Sequence, residues 1–278
     1  MSRIPIVFAT NNNYAPYLGV AIKSLIDHAH EENEYYIYIL NSSLTEDNIK
    51  RLESFSQKNI SVVCIHIDQY IKTLNLNITG HLTEEAVYRI LIPYIITDYE
   101  KVLYLDCDLI ILRDVAELYS FELGDHVIAA VRHIVDEWLR NYLLEKNIAE
   151  DGYFNSGVLL INTKKFKQQD IMPKCIEMLS RDVSYRNLDQ DALNVVVDRE
   201  DIAYIHPKWN FGWHHKFFND VVDEYKATYE RISKDPYIIH YTSQTKPWNN
   251  PERYRAEYFW EYAKKTEFRS EERRVGKE

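Results

Sequence analysis

The sequence predicts an α/β fold with a mostly parallel central sheet. Short apolar runs that are typical of strands alternate with segments in which apolar residues recur at helical spacing. A pair of carboxylates stands at the end of one central run, and open α/β sheets bind their ligands at the carboxyl ends of their strands. The chain of 278 residues contains no internal repeat and no low-complexity linker, so the sequence favours one large domain.

The predicted strands are apolar runs bounded by polar or turn-forming residues. The first is followed at once by a polar break from Thr10 to Asn13, and the later half of the chain is less regular than the first. The runs lie at residues 4–9, 35–40, 60–67, 102–106, 127–131, 157–162 and 237–241.

The predicted helices lie between these strands. Residues 17–28 place Leu18, Ile22 and Leu25 at helical spacing, and Thr45 opens a second helix. A third helix, over 84–92, is expected to end near Pro93, and a fourth covers 191–197.

We assign residues 1–250 to the main domain and 251–268 to a C-terminal helical extension. Residues 269–278 resemble the translation of a common sequencing adapter. They are therefore expected to be non-native, with the true C-terminus missing. A peripheral membrane contact through that missing segment stays open.

Composition argues against several classes of protein. The net charge is −10 and no long basic run precedes the C-terminus, which disfavours nucleic-acid binding. No apolar run reaches the roughly 18 residues of a transmembrane helix, and no signal-peptide pattern precedes the first strand. Cys64, Cys107 and Cys175 are odd in number and far apart, which predicts reduced thiols in a cytosolic protein and no zinc cluster.

The most informative motif is Asp106-Cys107-Asp108, at the end of an apolar run. Residues i and i+2 of a strand face the same side, so the two carboxylates repel unless a cation lies between them. The motif therefore predicts a divalent metal site, and a pair that merely caps a turn is the alternative. A phosphatase-type site with Asp106 as nucleophile is disfavoured, because Ile110 takes the place of the usual Thr.

A second polar segment, residues 240–248, follows the last predicted strand. His240 stands at a strand end, where a metal ligand is one interpretation, and Lys246 is suited to neutralising phosphate. The alternatives are an ordinary loop histidine and a solvated lysine. The chain has neither G-x-G-x-x-G nor a P-loop, so any bound phosphate must be held by metal and side chains.

Two further segments, residues 153–162 and 188–194, place amides and carboxylates beside apolar runs. Such groups suit sugar hydroxyls, which need both donors and acceptors. Asp189 has a second interpretation as a helix N-cap, and its sequence context favours neither one.

Together these segments resemble glycosyltransferase family 8, the retaining nucleotide-sugar transferases that include glycogenin and lipopolysaccharide galactosyl- and glucosyltransferases. The resemblance covers about residues 4–250. Its motifs occur in the family's order at residues 6–14, 88–89, 104–108, 154–157, 189–191 and 240–248.

The resemblance implies a GT-A fold, in which a Rossmann-like sheet binds the sugar nucleotide at its carboxyl edge. It also implies a cation that bridges the donor diphosphate and is held by Asp106, Asp108 and His240. Mixed carboxylate and imidazole ligands suit Mn²⁺ better than Mg²⁺, which stays the alternative.

The same resemblance implies the rest of the site. The uridine would contact Ala9, Asn11, Asn13 and Tyr14. The donor sugar would contact Arg89, Asn155 and Asp189. Lys246 would contact the diphosphate, and Gln190 would lie nearest the anomeric carbon. Gln190, Asp189 and Lys246 are therefore the candidate catalytic residues.

Three positions depart from the family's pattern. Asn11 stands where relatives often have Asp, and an amide can still pair with uracil. Ser243 stands where many have Gly, so close approach of that backbone to phosphate is sterically harder. His133 stands where several have Asp, at a position expected to bear on the acceptor.

The sequence thus predicts a cytosolic, Mn²⁺-dependent, retaining hexosyltransferase that uses UDP-glucose or UDP-galactose. The acceptor would be a glycan or a lipid-linked saccharide, and nucleic acid is not a partner. The alternative is a catalytically silent sugar-nucleotide-binding or scaffold protein with the same fold.

Overall fold

The computed structural model describes residues 2–73, 84–182, 184–212 and 223–268. The C-terminal segment 269–278, predicted to be non-native, lies outside the described residues.

Ten strands and eleven α-helices occur in these ranges. The strands are β1 Arg3–Ala9, β2 Glu34–Asn41, β3 Ile60–His66, β4 Lys101–Leu105, β5 Leu109–Ile111, β6 Ile128–Arg132, β7 Phe154–Asn162, β8 Ile202–Tyr204, β9 Phe211–Gly212 and β10 Ile238–His240. The helices are α1 Ala15–Ile26, α2 Glu46–Glu53, α3 Asp68–Thr73, α4 Glu84–Ile95, α5 Val115–Tyr119, α6 Glu137–Glu145, α7 Thr163–Gln168, α8 Ile171–Arg181, α9 Leu188–Val196, α10 Asp223–Ser233 and α11 Ala256–Ala263.

The main sheet has seven strands in the order β3-β2-β1-β4-β7-β6-β8. All neighbouring pairs are parallel except those of β7, which runs antiparallel to both β4 and β6. The prediction of a mostly parallel central sheet is therefore confirmed. The strand order reverses between β1 and β4, so the carboxyl ends of these two strands border the crevice in which such sheets bind ligands.

A second, three-stranded sheet has the order β5-β10-β9. Strand β10 runs antiparallel to β5 and parallel to β9, and its register places His240 opposite Leu109. This small sheet carries the last predicted strand back to the segment that follows β4.

The core covers both faces of the main sheet. Ile6 and Phe8 of β1 belong to one apolar cluster, whereas Val7 between them belongs to another on the opposite face. Leu103 and Tyr104 of β4 divide in the same way. A strand that is buried on both faces is apolar at consecutive positions, which is why these runs stand out in the sequence.

Two helix boundaries differ from those predicted. Helix α4 continues past Pro93 to Ile95, because a proline near the end of a helix removes only one backbone hydrogen bond. The buried Ile95 and Ile96 hold that last turn against the core. Helix α9 begins at Leu188, three residues before the predicted start. Thr45 does open α2, since its hydroxyl accepts from the Asn48 N–H at 3.3 Å.

Several short elements were not predicted, among them β5, β8, β9 and helices α5 to α8. Most of these segments have six residues or fewer, too few positions to show a period, whereas α6 and α8, with nine and eleven residues, were missed although they are longer. Near the end of the described chain, Phe259 and Tyr262 of α11 pack with Val20 and Trp248 in one cluster. The division at residue 250 stays a prediction. No helix in the described ranges is long and apolar enough to cross a membrane.

Candidate active site

Asp106 and Asp108 lie in the link between β4 and β5, at the carboxyl edge of the main sheet. The Asp106 N–H donates to the carbonyl of Gly157 on β7 at 2.9 Å, and the Asp108 carbonyl accepts from the Tyr241 N–H at 3.0 Å. The premise that both carboxylates belong to one strand is wrong, because β4 ends before Asp106 and β5 begins after Asp108. Backbone bonds to both sheets hold the motif instead.

His240 ends β10 and brings an imidazole to this motif. The ring is buried, and its Nε2 lies 3.2 Å from Asp108 Oδ1 and 3.5 Å from Asp106 Oδ2. Each of the three side chains offers one ligand atom, and these atoms all lie within 4.8 Å of one another. The structure therefore brings together the three residues that the sequence proposed as metal ligands.

One oxygen of Asp106 is committed to the protein. Its Oδ1 accepts from the Tyr104 hydroxyl at 2.6 Å and from Arg89 at 2.9 Å, while Oδ2 faces the imidazole. Burial acts to lower the pKa of Arg89, but the Asp106 and Asp189 carboxylates outweigh it and raise that pKa. Arg89 is thus a permanent positive charge beside the motif.

One oxygen of Asp108 is committed in the same way. Its Oδ2 pairs with the Lys246 ammonium, which also donates to the carbonyl of Tyr241 at 2.6 Å. Burial acts to raise the pKa of Asp108, but the interactions with Lys246 and His240 outweigh it and hold that pKa well below its usual range. Asp108 is therefore a carboxylate at any physiological pH.

The remaining donor atoms fit a divalent cation. Asp106 Oδ2, Asp108 Oδ1 and His240 Nε2 face one another, and two carboxylates with one imidazole form a set that suits Mn²⁺. His240 uses its other nitrogen, Nδ1, on Asn210 Oδ1 at 2.8 Å. Such a partner on the second nitrogen is the usual arrangement for a metal-ligating histidine.

Gly157 lies directly against this group. A Cβ at that position would be 2.3 Å from His240 Cε1 and 2.6 Å from Asp106 Oδ2, far closer than non-bonded atoms approach. The glycine of the 154–157 motif is therefore required for space.

Arg89 joins the candidate metal ligands to the candidate sugar site. Its Nε lies 2.5 Å from Asp189 Oδ2, and its NH1 donates to the carbonyl of Ser156 at 2.9 Å. Burial raises the pKa of Asp189 to about 6, against the opposing charge of Arg89. A carboxylate oxygen has two lone pairs, so Asp189 Oδ2 retains acceptor capacity beside its ion pair with Arg89.

Asp189 is not the helix N-cap. That position belongs to Asn187, and Asp189 is the second residue of α9. Its carboxylate turns toward Arg89, so the capping interpretation is wrong. The helix dipole still favours a negative charge in this first turn.

Asn155 and Gln190 are hydrogen-bonded to each other. Asn155 Nδ2 donates to Gln190 Oε1 at 3.0 Å, and Gln190 Nε2 donates to the Tyr153 hydroxyl at 3.0 Å. The two residues come from β7 and α9, so the motifs at 154–157 and 189–191 form one polar surface.

The candidate uridine residues follow β1. The Ala9 carbonyl accepts from Cys107 Sγ at 2.9 Å, which ties this edge to the metal motif. The Tyr14 N–H donates to Asn11 Oδ1 at 3.1 Å, and Asn13 is exposed beside them. Burial raises the pKa of Tyr14, and the negative charges of Asp108 and Asp106 add to it. Tyr14 therefore lies within electrostatic reach of the carboxylate pair.

The segment from His240 to Trp248 reaches the same edge. The Trp248 ring stands edge-on to Tyr14, with centroids 6.0 Å apart. Ser243 has φ of +80°, a conformation that glycine adopts without cost and serine does not. Arg253 holds this turn by donating to the Thr242 carbonyl at 2.7 Å and to Ser243 Oγ at 3.2 Å.

His133, expected to bear on the acceptor, lies next to the amide surface. Its ring centroid is 6.0 Å from that of Tyr153, and its Nδ1 bonds to the Ile134 carbonyl at 2.6 Å. Burial lowers its pKa, against the raising effect of that backbone bond. It is therefore mostly neutral near pH 7.

Sequence reasoning missed four residues that hold the site: Tyr104, Tyr153, Ser156 and Asn210. The first three lie inside motifs that the sequence analysis identified, so their place in those motifs could have marked them as site residues. Asn210 is the last residue of a short 3-10 turn, Pro207–Asn210, and no pattern in its neighbours marks it.

Comparison with known proteins places the chain. The profile of "Glycosyl transferase family 8" matches residues 5–252, nearly the whole chain. The chain belongs to glycosyltransferase family 8. This confirms the predicted family, and with it the enzyme class, a hexosyltransferase.

Named relatives agree. General stress protein A of Bacillus subtilis is 31% identical over 265 residues, with 91% of each chain covered. Lipopolysaccharide glucosyltransferase WaaO of Escherichia coli is 26% identical, with 93% of this chain and 74% of WaaO covered. The crystal structure of the galactosyltransferase LgtC, in complex with donor and acceptor sugar analogues, superposes with a TM-score of 0.72 at 28% identity and covers 97% of this chain and 99% of LgtC. The GT-A fold that the family implies is thereby confirmed.

Proposed function

We propose that this chain transfers glucose or galactose from a UDP-sugar to a hydroxyl of a glycan or lipid-linked saccharide, with retention of the anomeric configuration. The observation that supports it most is the convergence of Asp106, Asp108 and His240 within 4.8 Å at the carboxyl edge of the sheet. Two of the similar proteins are named as hexosyltransferases, WaaO as a glucosyltransferase and LgtC as a galactosyltransferase.

The proposed cation is Mn²⁺, with Mg²⁺ as the alternative. When bound, it would act as a Lewis acid that stabilises the leaving diphosphate. The chain's own part is to present two carboxylate oxygens and one imidazole nitrogen at one point, and to balance the carboxylate charge with Arg89 and Lys246.

The proposed donor-sugar contacts surround Arg89. Asp189 Oδ2 pairs with Arg89, and its second lone pair is suited to accept from a sugar hydroxyl. Asn155 lies on β7, and its NH₂ group donates one hydrogen to Gln190, which leaves the other for a sugar hydroxyl. Buried groups of this kind discriminate between epimers, because a misplaced hydroxyl leaves them unpaired.

Lys246 is proposed to contact the diphosphate. It pairs with Asp108, so its charge already lies beside the ligands of the proposed cation. A positive charge at this point stabilises the negative charge that grows on the diphosphate as the bond to the anomeric carbon breaks. The acceptor hydroxyl attacks from the same face, and its proton passes to the departing phosphate.

Gln190 is proposed to act by position and not as a nucleophile. Its Oε1 already accepts from the Ser156 N–H at 3.1 Å and from Asn155 Nδ2 at 3.0 Å. A carbonyl oxygen with both lone pairs engaged is poorly placed to attack the anomeric carbon. This supports an ion-pair-like mechanism over a covalent one.

We place the protein in the cytosol. The three cysteines are free thiols, and burial raises the pKa of Cys64 to about 12. Buried thiols of this kind are inert and fit a reducing compartment.

The test is release of UDP from UDP-glucose, UDP-galactose and UDP-N-acetylglucosamine, each with Mn²⁺, with Mg²⁺ and with EDTA. We expect Mn²⁺-dependent release from one hexose donor, lost in Asp108→Asn and retained in Asp125→Asn, whose carboxylate pairs with Lys165 on the surface. Binding of UDP without release from any donor would instead establish a catalytically silent sugar-nucleotide-binding protein.

A further inference from the structure

A continuous chain of side-chain hydrogen bonds connects His240 to a fully buried carboxylate on α9. Four polar side chains form its links. In order from the imidazole, the chain runs through His240, Asn210, Asn155, Gln190, Tyr153 and Asp191. The five heavy-atom distances lie between 2.5 and 3.0 Å.

Backbone groups fix the direction of the middle of this chain. The Gly157 N–H donates to one side-chain atom of Asn155 at 3.0 Å, so that atom must be the amide oxygen. The Ser156 N–H donates to Gln190 at 3.1 Å and identifies its oxygen in the same way. The oxygen and nitrogen atoms of both amides are therefore identified by backbone N–H groups, which can only donate.

The far end of the chain agrees with this direction. Asp191 is completely buried and accepts from the Tyr153 hydroxyl at 2.5 Å, from the Tyr142 hydroxyl and from the Asn187 N–H at 3.1 Å. Burial raises the pKa of Tyr153, and the Asp191 charge adds to it, so the hydroxyl keeps its proton and points it at the carboxylate. Its lone pair then accepts from Gln190 Nε2.

The orientation of Asn155 decides that of Asn210. Asn155 presents its oxygen at 2.7 Å, so the facing atom of Asn210 must be its NH₂ group. The other end of the amide, Oδ1, then faces His240 Nδ1 at 2.8 Å. An acceptor at that place requires a proton on Nδ1, and a neutral imidazole with Nδ1–H has its lone pair on Nε2.

We propose that Asn210 is a positioning residue that holds His240 in the Nδ1–H tautomer, so that Nε2 presents its lone pair to a divalent cation shared with Asp106 and Asp108. The inference rests on the proposed function, because it assigns the cation site its orientation. Asn210 touches neither the cation site nor the sugar; it acts through the imidazole. The Gly157 N–H sets the tautomer through the amides of Asn155 and Asn210, and the Ser156 N–H supports the same direction through Gln190.

The test measures the tautomer and the cation affinity separately. Protein labelled with ¹⁵N-histidine and freed of metal gives ring-nitrogen signals at pH 8.5, and the signal absent from His240→Gln identifies His240. Titration with MnCl₂ gives Kd. Both are measured for wild type, Asn210→Leu, Asn210→Asp and Asn41→Leu. Asn41 is a buried amide of β2 that donates to the Ile65 carbonyl at 3.2 Å and has no part in the chain, so it is the matched control.

We expect the Nδ1–H tautomer in wild type. Asn210→Leu should lose that preference and raise Kd about 10- to 100-fold, the usual effect of removing a partner behind a metal ligand. Asn210→Asp still offers an acceptor, so it should keep the tautomer and stay within about threefold of the wild-type Kd, although it loses the donor to Asn155. Asn41→Leu should lower Tm and leave both readouts unchanged.

A metal-free wild type in which His240 carries no proton on Nδ1 would overturn the proposal even if Asn210→Leu failed to fold. So would an equal loss of Mn²⁺ affinity in Asn210→Leu and Asn210→Asp, which is the behaviour of a purely structural residue. If wild type keeps the Nδ1–H tautomer but binds no Mn²⁺, the proposed function itself fails and takes the positioning role with it, which distinguishes the two failures.

Discussion

Replacing Gly157 by alanine should break the metal site while leaving the sheet folded. The new Cβ would lie 2.3 Å from His240 Cε1 and 2.6 Å from Asp106 Oδ2. Carbon atoms in contact are about 3.5–4.0 Å apart, so the ring or β7 must move by more than about 1 Å. The ring has little room, since it is 4% exposed and its Nδ1 is bonded to Asn210.

The expected magnitudes follow from that displacement. Metal–ligand distances tolerate only about ±0.2 Å, so a shift of about 1 Å removes His240 from the coordination shell. Kd for Mn²⁺ should rise at least about 10-fold, and kcat/KM should fall about 100-fold or more. Inserting a methyl group into a packed site should lower the free energy of unfolding by about 1–3 kcal/mol.

The assay is MnCl₂ titration of Gly157→Ala, with thermal unfolding followed in parallel. Gly124→Ala is the control, because its Cβ would meet nothing within 4 Å while its φ of +54° still costs stability. The free energy of unfolding of that control should fall by about 1 kcal/mol, and its Mn²⁺ affinity should stay unchanged. A folded Gly157→Ala that binds Mn²⁺ within twofold of wild type would refute the placement of the cation.

Three further predictions concern charges in the site. Asp108→Asn should lower Tm of the metal-free protein at pH 7, because a carboxyl whose pKa is depressed by folding stabilises the fold when ionised. The difference in Tm between variant and wild type should shrink as pH falls below 3.8, and a variant as stable as wild type at pH 7 would contradict the prediction. Lys246→Ala should reduce kcat about 10²- to 10³-fold with little change in acceptor KM, as steady-state kinetics would show, whereas an effect on acceptor KM alone would place Lys246 elsewhere. Folding raises the pKa of Asp189 from 3.8 to about 6, so its ionisation costs the folded state stability as pH rises through that window. Asp189→Asn has no such cost, so its free energy of unfolding relative to wild type should rise by up to about 3 kcal/mol between pH 4 and pH 7, as denaturant unfolding would show. A difference between the two proteins that stays constant over this pH range would argue against the raised pKa.

Much of the fold could be predicted because the central strands are buried on both faces. Val7 and Ile6 are equally buried although they face opposite sides of β1. The run is therefore continuously apolar, and the strand can be recognised in the sequence without knowing which strands it pairs with. The short strands β5 and β9 had no such signal. They are formed by pairing with β10, which is a contact between segments far apart in sequence.

The extent of α4 and the role of Asp189 show where local rules were overridden. Proline predicted the end of α4 at Pro93, but burial of Ile95 and Ile96 in the core stabilises one more turn than propensity allows. Asp189 looked equally suited to capping, and only the approach of Arg89 from α4 decides that it forms an ion pair. Neither outcome is encoded by neighbours in the chain.

The sequence by itself determined the family, the positions of the main strands along the chain and the residue types at the candidate metal site, since each of these depends on short motifs and on local apolar periodicity. The tertiary structure alone decided how the site is oriented. Asn210 has no distinguishing neighbours, yet its amide meets His240 on one side and Asn155 on the other. Hydrogen-bond direction depends on which groups face each other across strands and helices, and that is fixed only when the chain has folded.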